Sequence, residues 1–235
     1  MSTPDRMRAL ATLAAQPAGA DDERAAANRV IDQALELLPD VDWVSLTIKV
    51  RQEGYATLAA SDDVARQADA LQYALDEGPC IEAADRAEWF RSGSVASDPR
   101  WPAWGPRAAE LGIGSLLSVR LAAGDGALGA LNMYARPTGR FDDRDEVDFA
   151  VLYGAHAAAS LTAAREIEGL HNAISSRHVI GLAQGILMER FGLTVERSFD
   201  LLRRYSSESN VKLAAVAAEL VDTQQRGATA TAGDG

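Results

Sequence analysis

SRHVIGLAQGILMERFGLTVERSFDLLRRYSSESNVKLAAVAAELV, residues 176–221, is the stretch that most directly decides the architecture of this chain. Its apolar residues recur at helical spacing up to Phe191 and Gly192, where glycine can adopt the left-handed conformation that ends a helix. Thr194 is suited to cap a second helix and Asn210 a third. The spacing therefore predicts a compact unit of three helices.

Basic side chains recur on the polar faces of these predicted helices. They are Arg177, Arg190, Arg197, Arg203, Arg204 and Lys212. Basic residues grouped on a small helical unit are typical of a surface that contacts phosphates. A solvated helix face has the same composition, so this pattern alone leaves both interpretations open.

The order and spacing of this stretch resemble the ANTAR family, the small RNA-binding output domain of transcription antitermination regulators. The resemblance is carried by Arg177, Ile180, Ala183, Gly185, Leu187, Met188, Arg190, Phe199, Leu201, Leu202, Arg203, Asn210, Leu213, Val216 and Ala217. Two positions depart from the family pattern, Gln184 where many members have lysine and Ser198 where alanine is usual. Gln184 removes one phosphate contact but keeps an amide that can hydrogen-bond a base edge or a ribose hydroxyl.

The resemblance implies a protein that binds paired stem-loops in nascent transcripts and prevents formation of a terminator. The RNA-binding candidates are Arg177, Gln184, Gly185, Arg190, Arg203, Arg204, Asn210 and Lys212. Their basic members would contact phosphates, whereas Gln184 and Asn210 would read bases in the loops. Gly185 would let RNA or a neighbouring helix approach the backbone closely.

Charge is divided unevenly along the chain. The 235 residues carry a net charge of -11, yet residues 172–235 hold seven Lys or Arg and seven Asp or Glu. Residues 1–171 hold 16 and 27, so the whole acidic excess lies upstream. An acidic domain repels a polyanion, and nucleic-acid contacts are therefore expected only in the last segment. The length and the 47% hydrophobic content predict two domains.

Other protein classes are disfavoured by the same sequence. The single cysteine, Cys80, excludes an intramolecular disulfide and leaves no second thiol to resolve a sulfenic acid. His156, His171 and His178 do not form the i, i+4 pair that holds a metal. No apolar run approaches the roughly 20 residues of a membrane span, and the first residues lack a signal peptide's apolar core. We expect a cytoplasmic protein that is not an enzyme; the sequence assigns no metal and no cofactor.

The upstream part predicts an α+β domain. Alternating or apolar runs predict strands, and a proline-rich stretch predicts irregular structure. The predicted helices span residues 21–38, 64–75 and 80–87, the predicted strands span 43–50, 55–61, 115–121 and 127–135, and the irregular stretch spans 98–106. Two hairpins separated by helices indicate an antiparallel sheet with helices packed on one face.

This order, with the phrases DEGPCIEA, SDPRW, GSLLSVRL and LGALNMYA, resembles a GAF domain, a common small-molecule sensor, over residues 22–164. A sensor followed by ANTAR is a known pairing among bacterial regulators. The expected fold is an antiparallel-sheet sensor followed by an all-α three-helix domain. The expected organisation is a flexible N-terminus over residues 1–20, a sensor over 21–166, the ANTAR domain over 167–225 and a disordered tail over 226–235.

Five residues of the GAF-like segment are candidates for binding the ligand: Tyr73, Cys80, Trp89, Asp98 and Trp101. Aromatic walls with a few polar groups suit a planar ligand, although aromatic residues also form protein cores. Asp98 either recognises a polar group or begins a turn with the proline after it. Cys80 is either an oxidisable thiol near a helix N-terminus or an inert buried one.

A helix is also predicted between the two domains. From Asp142 the chain can run helically to Phe191, with apolar residues every three or four positions. One interpretation is a closing helix of the sensor that breaks near Gly169. The other is a long helix that pairs with its copy in a second chain and carries the signal.

The sequence therefore predicts a regulator in which a small-molecule or redox signal controls an RNA-binding tail, acting as a homodimer without membrane attachment. Two other functions stay open: a helix-turn-helix-like DNA binder, and a dimerising module that contacts a protein partner.

Overall fold

The computed structural model describes residues 3–15, 22–50, 54–85, 88–124 and 126–232. The chain divides into two compact units, Met1–Ile167 and Glu168–Gly235. Within the part of the chain that the structure describes, no helix is long and apolar enough to cross a membrane.

The first unit is built on one five-stranded sheet. Its elements are α1 (Thr3–Ala14), α2 (Glu23–Leu37), β1 (Trp43–Val50), β2 (Gly54–Ala60), α3 (Asp63–Leu75), α4 (Pro79–Asp85), β3 (Trp89–Ser92), a 3₁₀ turn (Val95–Ser97), α5 (Trp104–Glu110), β4 (Ser115–Ala123), β5 (Gly126–Ala135) and the beginning of α6 (Arg144–Phe191). The strand order is β2-β1-β5-β4-β3, and each described pairing is antiparallel. The predicted antiparallel α+β class is confirmed.

Helices cover both faces of this sheet, so the expectation of helices on one face was wrong. Successive side chains of a strand point to opposite faces, and β1 uses both of them. Val44 and Leu46 are buried in one core with residues of α2 and α6. Trp43 is buried in a second core with residues of α3 and α5. Ser45 and Thr47, on the Trp43 face, are equally buried and need polar partners there.

Local sequence signals explain most element boundaries. Asp22 and Asp62 cap α2 and α3 by accepting hydrogen bonds from the backbone N–H groups of Ala25 and Val64. The first predicted strand has the bounds of β1, and the others agree within two residues at each end. Residues 51–53, in the predicted turn between β1 and β2, lie outside the described residues. So do residues 86–87, at the end of the helix predicted over 80–87.

Two elements in the middle of the first unit were not predicted. The edge strand β3 has only four residues, too few for alternation to be recognised. The helix α5 lies partly in the proline-rich stretch expected to be irregular. Pro106 is tolerated because it falls in the first turn of α5, where backbone N–H groups have no helical acceptor.

The N-terminal segment was expected to be flexible, but α1 occupies residues 3–14. Leu10 of this helix is buried in the same core as α2 and α6. Arg6 forms a buried ion pair with Glu146 at 3.0 Å, and Arg140 pairs with the same carboxylate. These contacts tie the segment to the domain.

The first part of α6 belongs to the first unit. Val147, Ala158, Leu161 and Ala164 from the predicted apolar stripe are buried against the sheet of the same chain. The helix continues through Gly169 without interruption and ends at Phe191. Of the two interpretations of this segment, a break near Gly169 is not observed.

The second unit contains the end of α6, α7 (Val195–Ser209) and α8 (Leu213–Ala232). Gly192 has φ +63, and Thr194 caps α7 by accepting from the N–H of Arg197, both as expected. Asn210 was expected to cap the third helix; instead, with φ 53, it ends α7 in the left-handed conformation that asparagine tolerates. The helix α8 extends into the segment expected to be a disordered tail.

The second unit is held together by a small apolar core. Its buried members are Ala183, Leu187, Leu202, Val216, Ala217 and Val221. They come from all three helices, at the helical spacing of the sequence. The predicted all-α three-helix domain is therefore present.

Candidate functional site

A buried carboxylate lies at the centre of the face that carries Ser45 and Thr47. Asp69 of α3 has no solvent exposure. Its Oδ1 accepts hydrogen bonds from Ser45 Oγ at 2.9 Å and from Tyr134 OH at 2.6 Å. Its Oδ2 accepts from Thr57 Oγ1 at 2.8 Å, and Asn132 Nδ2 is 3.3 Å from Oδ1. Four neutral donors from β1, β2 and β5 thus converge on one acid.

The charge of Asp69 sets the direction of neighbouring hydrogen bonds. An ionised carboxylate only accepts, so Thr57 donates to it and accepts from Tyr73 OH at 3.0 Å. Tyr73 in turn accepts from Thr47 Oγ1 at 2.8 Å, and Thr47 accepts from Asn132 Nδ2 at 3.0 Å. The result is an ordered chain of polar contacts between α3 and three strands.

Burial raises the pKa values of the acidic groups in this cluster. Burial raises the pKa of Asp69 to about 6, while hydrogen bonds from Tyr134, Ser45, Thr57 and Asn132 act in the opposite direction. Burial raises the pKa of Tyr134 and of Tyr73 as well, and the nearby Asp69 charge adds to both shifts. The two tyrosines therefore stay protonated at pH ~6, where Asp69 changes charge.

Two predicted ligand-binding residues lie beside this cluster. Tyr73 packs against a small buried group formed by Cys80, Ile81, Ala83 and Ala130. Cys80 has no solvent exposure, and burial, with Asp69 nearby, raises the pKa of its thiol well above the ordinary value. Because the thiolate is the reactive form, this environment disfavours oxidation at Cys80.

The other three predicted residues lie elsewhere in the first unit. Trp101 is fully buried in the core that contains Trp43, and its indole N–H donates to Glu82 at 2.8 Å. Asp98 accepts two hydrogen bonds from the guanidinium of Arg100, which hold its pKa at about 2. Trp89 lines a surface cleft together with Arg100. The five residues therefore do not form one pocket.

The second unit presents a basic surface on α7. Arg203 and Arg204, both predicted to bind RNA, line a surface cavity of about 780 Å³ with Arg197 and Asp200. Arg203 pairs with Asp200 at 3.0 Å, and Arg204 lies 3.9 Å from Glu208. These ion pairs are exposed, and such pairs contribute little stability. A phosphate can therefore replace either carboxylate at small cost.

The remaining predicted basic residues lie outside that cavity. Arg190 is exposed at the end of α6 and donates to Gln224 of α8 at 3.4 Å. Arg177 and Lys212 are exposed on α6 and just before α8. Gly185 is exposed, and apart from its own stretch of helix no described atom lies within 4 Å of the position that a Cβ would take. Packing inside the unit does not require glycine here, which leaves this part of the backbone open to approach.

Gln184 makes contacts inside the protein. Its Nε2 donates to the carbonyl of Val195 at 3.1 Å and to Ser198 Oγ at 3.4 Å. Ser198 is fully buried and donates to the same carbonyl at 2.8 Å. The two positions that depart from the ANTAR pattern are therefore in contact, and together they link α6 to the first turn of α7. These bonds compete with the base-reading role predicted for Gln184.

Comparison with known proteins identifies both units. A GAF domain model matches residues 20–162, and an ANTAR domain model matches residues 168–221. No curated protein matches the chain.

Solved structures with a similar fold include the GAF domain of a phosphoenolpyruvate-protein phosphotransferase from Coxiella burnetii, with 20% identity, 71% of this chain and 96% of that chain covered, and a TM-score of 0.54. The corresponding domain from Acinetobacter is 15% identical, and the match covers 72% of this chain and 99% of that chain with a TM-score of 0.52. A bacteriophytochrome from R. palustris is 13% identical, and the match covers 86% of this chain and 47% of that chain with a TM-score of 0.55. At these identities the likeness concerns the fold alone.

Proposed function

The chain belongs to the GAF domain family and carries an ANTAR domain after it, and from this premise we propose that it is a signal-responsive RNA-binding regulator acting by transcription antitermination. The observation that carries the proposal is the order of the two domains, a sensor followed by an RNA-binding output. Its role is regulatory rather than catalytic, and it acts in the cytoplasm on stem-loops in nascent transcripts.

The α7 surface supports an RNA-binding role for the second unit. Arg197, Arg203 and Arg204 share one cavity, and the exposed ion pairs of the last two exchange readily for phosphate contacts. Arg177, Arg190 and Lys212 supply the other phosphate contacts in the proposal. Because basic and acidic residues balance in residues 172–235, affinity depends on a few positioned side chains and on pairing of two copies.

A binding titration tests this proposal. Fluorescence anisotropy with RNA that carries two paired hairpins should show binding that weakens with salt. Replacing Arg203 and Arg204 together with alanine should weaken binding and reduce the salt slope by about two, one for each lost phosphate contact. Arg107→Ala, at an exposed arginine of α5 in the first unit, is the matched control and should leave both quantities unchanged.

The same assay separates the alternatives. Preferential competition by duplex DNA would favour the helix-turn-helix-like DNA binder. Dimerisation without affinity for either nucleic acid would favour the protein-interaction module. If the double variant kept the affinity and the salt slope of the wild type, Arg203 and Arg204 would not belong to the RNA-binding surface.

Pairing of two copies is the second part of the proposal. Leu170 and Ile174 are each 64% exposed, on a stretch of α6 that belongs to the second unit. They follow helical spacing, as expected for a seam between two helices. Replacing both with lysine should shift the molar mass measured by light scattering from dimer to monomer. Asn172→Lys, an exposed polar position between them, should leave the dimer intact, and a dimer that survives the double change would refute this seam.

The signal in the proposal is a small molecule bound by the first unit. The burial of Cys80 and the raised pKa of its thiol favour this alternative over a redox signal. Native mass spectrometry of freshly purified protein tests it, because a co-purified ligand would appear as an added mass. A mass change that corresponds to oxygen on Cys80 would support the redox alternative instead.

A further inference from the structure

A surface cleft of about 420 Å³ lies between β3 and the N-terminal turn of α6, entirely within the first unit. Its lining residues are Trp89, Phe90, Arg91, Arg100, Asp142, Arg144 and Val147. The volume falls within the range of small-molecule sites. Three arginines from three separate segments therefore border one space together with the tryptophan of β3, in a unit whose overall charge is acidic.

Two of these guanidinium groups are held in place by the protein. Arg100 donates through Nε and Nη2 to Asp98, and its guanidinium lies 4.3 Å from the ring centre of the fully buried Trp101. Arg91 donates through Nη1 to the carbonyl of Phe141 at 2.9 Å and pairs with Asp142 at 3.1 Å. Groups fixed in this way lose little entropy when a ligand binds.

The same contacts leave much of the donor capacity unused. A guanidinium has five N–H donors. Among the described residues, protein partners engage only Nη1 of Arg91, Nε and Nη2 of Arg100, and Nε of Arg144. The remaining nitrogens of three arginines can bind an anion, and their planar donor pairs match a carboxylate.

One aromatic ring lies beside these donors. Trp89 is partly exposed and lies on the same face of β3 as Arg91, whereas Phe90 points to the opposite face and packs edge-on against Trp101 at 6.1 Å. The exposed part of the Trp89 indole favours a flat ring next to the anionic group of the ligand.

We propose that this cleft binds a small aromatic carboxylate, with its ring against the indole of Trp89 and its carboxylate between the guanidinium groups of Arg91, Arg100 and Arg144. This site is separate from the buried cluster around Asp69. The proposal rests on the proposed function in one respect, namely that the first unit binds a small molecule. Bound there, the ligand joins β3 to the first turn of α6.

Direct titration of the full-length chain tests the site without RNA. Benzoate and 2-naphthoate are the probes, and saturation-transfer NMR and calorimetry are the readouts. Benzoate should bind with a Kd of about 1 mM, and 2-naphthoate more tightly because it covers more of the Trp89 indole. Benzamide, which has the same ring without the charge, should bind roughly tenfold more weakly. Inorganic phosphate should compete poorly, because it has no ring.

Arg144→Gln is the leading variant, because the Arg144 side chain is 78% exposed and, among the described residues, forms an ion pair with Asp148 alone, one turn along the helix. It should weaken benzoate binding roughly tenfold, the loss expected for a hydrogen bond to a charged group. Arg91→Gln should do the same, with unchanged thermal unfolding as a check on folding. Arg107→Gln, an exposed arginine outside the cleft, is the control and should bind as the wild type does.

Three results would overturn the site: no saturable binding of either probe, binding that Arg144→Gln and Arg91→Gln leave unchanged, or phosphate that competes as well as benzoate. The last would show a general anion patch rather than a site for aromatic carboxylates. RNA binding of the ligand-free chain should be the same for the wild type and Arg144→Gln. A failure of this site is therefore distinguishable from a failure of the RNA-binding proposal.

Discussion

Replacing Asp69 with asparagine should change how the stability of the first unit depends on pH. Asp69 is fully buried, and the cluster around it contributes hydroxyl and amide donors but no cation. Asparagine has nearly the same shape and cannot ionise. The variant therefore removes the buried charge while keeping the side-chain volume.

The size and sign of the effect follow from the pKa of this carboxyl. Its ordinary value is 3.8, and burial raises it to about 6 in the folded protein. The folded chain therefore holds this proton more tightly than the unfolded chain, and the free energy of unfolding falls as pH rises between these two values. About two pKa units correspond to about 3 kcal/mol. The stability of the variant minus that of the wild type should thus increase by about 2 kcal/mol from pH ~4 to pH ~7, because the unfolded carboxyl is already about half ionised at the lower pH.

Urea unfolding followed by tryptophan fluorescence is a suitable assay. All four tryptophans, at positions 43, 89, 101 and 104, lie in the first unit, so the signal reports that unit alone. Asp63→Asn, at an exposed acid on the same helix, is the control, and its stability difference from the wild type should change much less with pH. A difference for Asp69→Asn that stays constant or decreases with rising pH would refute the reasoning, because the four donors would then outweigh the cost of burial.

Three further predictions concern other parts of the chain. Gln184→Ala should lower the unfolding free energy of the second unit by about 1 kcal/mol, measured by circular dichroism, because it removes the bond to the Val195 carbonyl; unchanged stability with weakened RNA binding would make Gln184 a base reader instead. Gly105→Ala should cost at least about 2 kcal/mol in the fluorescence assay, because a Cβ would lie 2.1 Å from the carbonyl oxygen of Val95; an unchanged urea midpoint would contradict this. Cys80 should react with iodoacetamide only after unfolding, as measured by mass spectrometry, because its thiol is buried and its pKa is raised. Fast labelling of the native chain would contradict the interpretation of Cys80 as an unreactive buried thiol.

Much of the secondary structure could be predicted from local signals. Alternation identifies β1, and the aspartates before α2 and α3 mark where those helices begin. Gly192 ends α6 as expected. These features depend on neighbouring residues and on backbone conformation, and both are read directly from the chain.

The missed features depend on partners that are distant in sequence. The short strand β3 exists because it pairs with β4, and the burial of Trp104 in α5 depends on α3. Asn210 ends α7 in the left-handed conformation and does not begin α8. Asparagine is common at both kinds of helix end, so the residue type alone does not distinguish them. The aromatic residues grouped as one predicted pocket separate into a core, a buried polar cluster and an arginine-lined cleft.

One signal in the sequence did point to the buried cluster. Asp69 and Gln72 occupy the same helical stripe as Ala65 and Ala68, so two polar side chains face the core of the unit. The alternation in β1 likewise directs Ser45 and its neighbouring threonine to that face. Periodicity therefore shows that polar groups are buried, and only the folded chain shows that they bind one another.

Periodicity and motifs at fixed spacing were enough to predict the two domain families, their order, the antiparallel α+β class and the three-helix tail. Tertiary structure alone decided that helices cover both faces of the sheet and that Asp69 collects its donors from three strands. It also placed Arg91, Arg100 and Arg144 around one cleft. The physical reason is that burial, pKa shifts and binding geometry arise from residues far apart in the chain, whose distances are set only when the sheet and helices pack.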